Sequence, residues 1–149
     1  MTAIESAIYT RLKNDAGVAA LVSTRIYPNI ARQSKVMPFI VYYMDRAPEH
    51  HLGGASNLIT ADLTIECYAE GETAYADVRT LAAAVRASLD GYRGTAVDAD
   101  GNNISVRTCI MEADADSFLP PVDGGEKGTH VSVQTYSIGY FDNDIPSPS

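Results

Sequence analysis

Apolar positions along the chain switch between a helical and a strand spacing, and the switches mark its elements. Ile4, Ala7, Ile8 and Leu12 recur at helical spacing while Glu5, Thr10, Arg11 and Lys13 fall mostly outside that stripe, which predicts a helix over residues 3–14. Thr2-Ala-Ile-Glu5 fits a capping box in front of it. Asn14-Asp15-Ala16-Gly17 breaks the pattern, and Val18 to Val22 is apolar enough for one short packed helical turn. Arg25 to Tyr27, just before Pro28, reads as a brief edge strand. Phe39 to Arg46 is aromatic and β-branched between Pro38 and Pro48, a strand with bulk on both faces. From Ile59 to Ala69 the alternation is clean: Ile59, Ala61, Leu63, Ile65, Cys67 and Ala69 on one side, Thr60, Asp62, Thr64, Glu66 and Tyr68 on the other. Between these strands, Ala47 to Asn57 (APEHHLGGASN) has the Gly, Pro, Ser and Asn content of a long loop.

After Gly71 the period becomes 3.6. Tyr75, Val78, Leu81, Ala82, Val85 and Leu89 form a stripe, Asp77, Arg79 and Arg86 lie outside it, and Asp90-Gly91 ends the helix. So apolar a stripe has to be buried against a sheet. Thr95–Val97 and Ile104–Met111 flank the turn signal Asp100-Gly101, Asp116–Gly128 reads as a second long loop, and Thr129–Phe141 is a last strand. The expectation is an α+β domain with a mainly antiparallel sheet and two helices on one face. It spans residues 1–141, and 142–149 form a flexible tail with too little apolar content to pack.

Composition narrows the function classes. The chain has 149 residues, 46% hydrophobic and 20% charged, as a folding domain requires. No apolar run approaches the roughly 20 residues that span a bilayer, and the first residues lack a basic n-region and a continuous apolar h-region, so the chain reads as cytosolic. A formal charge of -8 makes the average surface repel phosphate and anionic lipid. DNA passing through an acidic ring is still compatible with it, because repulsion there prevents sticking. Cys67 and Cys109 sit in strand-like segments without metal spacing and read as small buried hydrophobes.

The candidate chemistry is thin. His50 and His51 are adjacent on an extended segment, point to opposite sides and carry no acidic residue at ligand spacing, so a metal shared with His130 is disfavoured. The Asp98–Asn102 stretch fails as a calcium loop, since the position that needs a bidentate Glu is Cys109. Glu112, Asp114 and Asp116 alternate on one strand face and form the best candidate for acid–base work or a divalent ion. No nucleophile, phosphate loop or His base is tied to them by spacing, and no enzymatic motif occurs. Catalytic, metal and cofactor sites are therefore not expected. Tyr42, Tyr43, Tyr68, Tyr136 and Tyr140 recur on the strands; some are core, and others suit a protein interface.

Three blocks together carry a resemblance: ESAIYTRLKNDAGVAALVSTRIYP, MPFIVYYMDRAPEHHLGG, and ADLTIECYAEGETAYADVRTLAAAVRASLDGYRG, in order over about residues 5–94. The sequence resembles the tail completion, or tail-to-head joining, proteins of long-tailed bacteriophages and prophages. That resemblance implies a curved sheet with helices packed on it and a non-enzymatic virion protein, assembled in the host cytoplasm, at the head–tail junction. It would cap the head-proximal end of the tail tube as a hexameric ring and join it to the head connector. Its partners would be the tail tube protein, connector or stopper proteins and further copies of itself, with DNA only as passing cargo. The family supplies no catalytic residues to carry over.

Within that picture the two long loops are the expected partner contacts, because recognition concentrates on exposed loops held by a rigid scaffold. The contact segments are Pro48–Leu58, with Glu49, His50, His51, Leu52, Asn57 and Leu58, and Phe118–Gly128, with Phe118, Leu119, Val122, Asp123, Glu126 and Lys127. Two alternatives stay open from sequence: a head-completion or stopper-type neck protein, and a small metal-binding enzyme built on the acidic ladder.

Overall fold

A computed structural model describes residues 3–28, 36–51, 54–97, 101, 103–120 and 128–142, with the backbone alone at 3, 46–51, 54–58 and 142. The helices are α1 (Ala3–Asn14), α2 (Ala16–Val22) and α3 (Ala74–Leu89). The strands are β1 (Ile26–Pro28), β2 (Phe39–His51), β3 (Gly54–Glu70), β4 (Gly94–Val97), β5 (Asn103–Leu119) and β6 (Thr129–Asp142). They form one curled sheet in the order β1-β2-β3-β6-β5-β4. The fold is α+β, as the pattern predicts.

The sheet is mixed rather than purely antiparallel, because β1 pairs with β2 in parallel, Ile26 opposite Ile40 and Pro28 opposite Tyr42. Nothing in the composition of a three-residue edge strand encodes its direction. Among the described residues there are also three helices rather than two. The break at Asn14–Gly17 is a cap: the Asp15 carboxylate accepts from Val18 N–H at 3.1 Å and starts α2, which buries Val18 and Val22.

The core lies between the helices and one sheet face. Alternate β3 residues from Ile59 to Ala69 are buried there together with Tyr136, Ile138 and Tyr140 of β6, and Val78, Leu81, Ala82, Val85 and Leu89 of α3 close over them. Each large side chain so buried contributes about 1.5–3 kcal/mol, several times what helix propensity supplies per residue. Tyr75 departs from the expected stripe: at the first turn of α3 it is 58% exposed. A buried polar relay also fixes α3 on the sheet. Tyr136 Oη donates to Gln134 Oε1 at 2.7 Å, and Gln134 Nε2 donates to the Ala82 carbonyl at 3.0 Å. Gly91, with φ +81, ends the helix and donates its N–H to the Cys109 carbonyl at 2.7 Å.

Both expected loops are shorter than the sequence suggests. β2 and β3 continue past Pro48 as a hairpin arm, paired as far as His51 opposite Gly54, with a register shift between Pro48 and His50. Backbone pairing satisfies N–H and C=O groups whatever the side chains, and proline is tolerated because β1 pairs with β2 only at Ile40–Tyr42. Likewise β5 runs to Leu119, so the segment from Asp116 is strand until Pro120. The capping box at Thr2, most of the 98–102 turn and the 143–149 tail lie outside the described residues.

Candidate functional site

The acidic ladder is where sequence placed its only chemistry, and tertiary structure resolves it. A register shift between Met111 and Ala113 takes Glu112 out of the alternation. Asp114 and Asp116 stay on the helix-bearing face, opposite Gln134 and Ser132. There Arg79 of α3 reaches across: Nη1 donates to Asp114 Oδ1 at 3.2 Å, Asp116 Oδ1 at 2.9 Å and Ser132 Oγ at 3.1 Å, and Nη2 donates to Asp114 Oδ2 at 3.1 Å. Ser132 Oγ donates to Asp114 Oδ1 in turn at 3.3 Å. The guanidinium hydrogen bonds hold the Asp114 carboxyl below the ordinary carboxylate range, while the same pairing pushes Arg79 up.

A lowered carboxyl is a poor proton donor at neutral pH, and a carboxylate already forked to arginine has little capacity left for a metal. Among the described residues no group of three or more His, Cys, Asp or Glu could hold a metal ion. His130 is remote from the other two histidines as well. It lies opposite Ala69 at one end of β3, whereas His51 lies opposite Gly54 at the other. Arg79 is the residue that sequence reasoning missed. Its only signal was a cationic position off the apolar stripe, which any solvated helix face also shows.

The predicted contact residues divide between the two ends of the sheet. Glu49, His50 and His51 belong to β2, and Asn57 and Leu58 to β3, all in the hairpin arm; Leu52 lies outside the described residues. Phe118 and Leu119 end β5, 52% and 50% exposed. Val122, Asp123, Glu126 and Lys127 lie outside the described residues. The Phe118 ring is tilted against His130 at 4.9 Å, which meets the exposed Tyr75 edge-on at 5.8 Å. A Cβ at Gly128 would collide with the Phe118 ring where it stands, so a larger residue there would have to displace that half-exposed side chain. Leu58 pairs with Phe141, and Leu119 with Thr129. At about 3.3 Å per strand residue, the two regions are about 40 Å apart along β6.

The tyrosines sort by face. Tyr42, Tyr136 and Tyr140 are core, and burial pushes the Tyr42 phenol up to about 12. On the helix-free face Phe39 stacks on Tyr68 at 4.8 Å, Tyr68 Oη donates to Glu66 Oε1 at 3.0 Å, and Tyr43 is 38% exposed. A cavity of about 360 Å³ lies between α1 and β4. It is crossed by Arg11, whose guanidinium stacks 3.6 Å over Tyr92 and donates to the Ser88 carbonyl at 2.9 Å. That contact ties α1 to the segment leaving α3.

No helix among the described residues is long and apolar enough to cross a membrane. No curated protein matches the chain at a significant level. Among solved structures, a chain of the "Virion of native gene transfer agent (GTA) particle" is similar, with a TM-score of 0.64 and 21% identity over 92% of this chain and 95% of that one. At that identity the likeness concerns the fold. The family model for "Tail completion protein gp17" matches residues 6–119, from α1 to the end of β5. A match of that extent, on a site with its carboxylates already paired and its exposed features at the ends of a sheet, means that the chain belongs to the tail completion protein gp17 family and is a structural protein of the phage tail.

Proposed function

We propose that this protein caps the head-proximal end of the tail tube and joins it to the head connector, as one subunit of a closed ring at the head–tail junction. The observation that carries the reading is the family match over residues 6–119. The geometry supports it. A joining protein needs two separate contact regions, and the hairpin arm and the β5 end stand about 40 Å apart on one sheet. Residues 1–141 act as one domain, and the protein works by contact without catalysis. The net charge of -8 suits a ring through which DNA passes without adhering.

The test is antibody labelling of particles from the source phage or induced prophage, viewed by negative-stain electron microscopy with copy number quantified. Label at the junction, at about six copies as six-fold closure demands, is the expected result. Intact particles without label would overturn the reading. Label confined to tailless heads would move the protein to the stopper side of the neck.

A further inference from the structure

Among the described residues, each outer edge of the sheet has a stretch that no strand covers, and the two stretches match each other. β4 pairs with β5 only over Asn103–Val106. Beyond that, the end of α3 blocks the β5 edge as far as Met111, where Gly91 N–H meets the Cys109 carbonyl at 2.7 Å and Met111 N–H meets Asp90 Oδ1 at 3.0 Å. From Glu112 to Leu119 nothing among the described residues lies along it, and every residue there is exposed. On the far side of the sheet β1 covers β2 only through Tyr42. Among the described residues nothing pairs with the outer side of Tyr43–Ala47, a second open edge that ends at Pro48, which has no N–H to offer. An exposed strand edge without proline is a template for another chain.

Resting on the ring reading above, we infer that the open β5 edge, through residues 113–117, pairs antiparallel with the β2 edge, residues 43–47, of a second copy, so that neighbouring sheets join edge to edge around the ring. Direction agrees. β2 and β6 run one way and β3 and β5 the other, so copies related by rotation about an axis along the strands bring β5 against β2 in opposite senses. The contact uses two different edges, as a head-to-tail ring requires.

Stagger agrees too. Ala115 is in register with Val133, Glu66 and Val41, and Asp45, the middle of the β2 edge, lies four residues beyond Val41. That is about 13 Å along the strand, against about 19 Å across four strand spacings. Level closure then tilts the strands by about 35°, within the range of closed barrels. The side chains also fit. Asp45 and Tyr43 share the helix-free face with Ala113, Ala115 and Ser117, whose small side chains leave room for the tyrosine. Arg79 holds Asp114 and Asp116 on the opposite face, away from Asp45.

Disulfide trapping tests the pairing in assembled particles carrying the full-length chain. Asp45→Cys is combined in turn with Ala113→Cys, Ala115→Cys and Ser117→Cys. Cys67 and Cys109 are buried, with thiols pushed up to about 12, so they stay out of the reaction. Mild oxidation is expected to give a ladder of covalent oligomers for at least one pair, while each single variant migrates as a monomer. Closed rings seen on particle tails with no ladder from any pair would overturn the edge contact and leave the ring reading standing. Absence of any closed ring would remove both. Hydrogen exchange on the unmodified chain gives an independent result: outward-facing amides within residues 113–117 slow by about tenfold or more on assembly, and unchanged exchange would likewise overturn the proposal.

Discussion

Arg79 determines what the acidic end of β5 can do. Its fork to Asp114 and Asp116 turns a possible acid–base pair into a clamp between α3 and β5. The Asp114 carboxyl is held below its unfolded value of about 3.9. Its contribution to stability is therefore fully present above that value and is lost as pH falls through the folded one. The Arg79 side chain is 36% exposed and that of Asp114 20%, so solvent screening keeps the contribution to about 1 kcal/mol. Asp114→Asn should lower unfolding free energy by about that amount at pH 7 and by much less at pH 3. Denaturant unfolding at both pH values checks it, and an equal deficit at both would refute the assignment. The alternation of Asp114 and Asp116 was legible as a shared strand face. Their partner was not, because Arg79 lies 35 residues away from Asp114 in the chain and only the packing of α3 on the sheet brings it there.

At the scale of elements, the β2–β3 arm is the feature most open to test. Its distal part, Glu49 to Ser56, lies beyond Ile59, the first of the alternating β3 core residues. Deleting Glu49–Ser56 should leave the midpoint of thermal unfolding within a few degrees of the parent, on the order of 1 kcal/mol in stability, while complete particles are no longer formed. A deletion variant that still yields joined heads and tails would exclude the arm from the joint. The helix α3 from Val78 and the strand β3 from Ile59 were readable because one face of each is buried there, which imposes a strict period on the sequence. The arm was not, since its Gly, Pro and Asn content resembles a loop. The end of β5 escaped because a strand exposed on both faces, as it is from Glu112 onward, carries no hydrophobic alternation.

For the whole molecule, one core joins α1, α2 and α3 to all the long strands, with Leu12, Val22, Leu63, Val85 and Ile138 within it. A domain built this way loses its packing all at once. Thermal unfolding followed by far-ultraviolet dichroism and by tyrosine fluorescence should therefore give coincident single transitions. Two separated transitions would divide residues 1–141 into independent units. The open edges of β2 and β5 are also properties of the whole sheet. They exist because β1 and β4 are short, and they sit at diagonal corners because each short strand covers only one end of its neighbour.

The sequence by itself determined the helices of the core, the clean strand β3, the α+β class and, through three blocks of residues, the family. Each depends on burial or on residue order, and both are written locally in the chain. Tertiary structure alone decided the parallel pairing of β1, the strand character of the hairpin arm and of the β5 end, and the partner of the acidic pair. Backbone pairing and long-range ion pairs join residues far apart in sequence, so no local pattern of hydrophobic and polar positions can specify them.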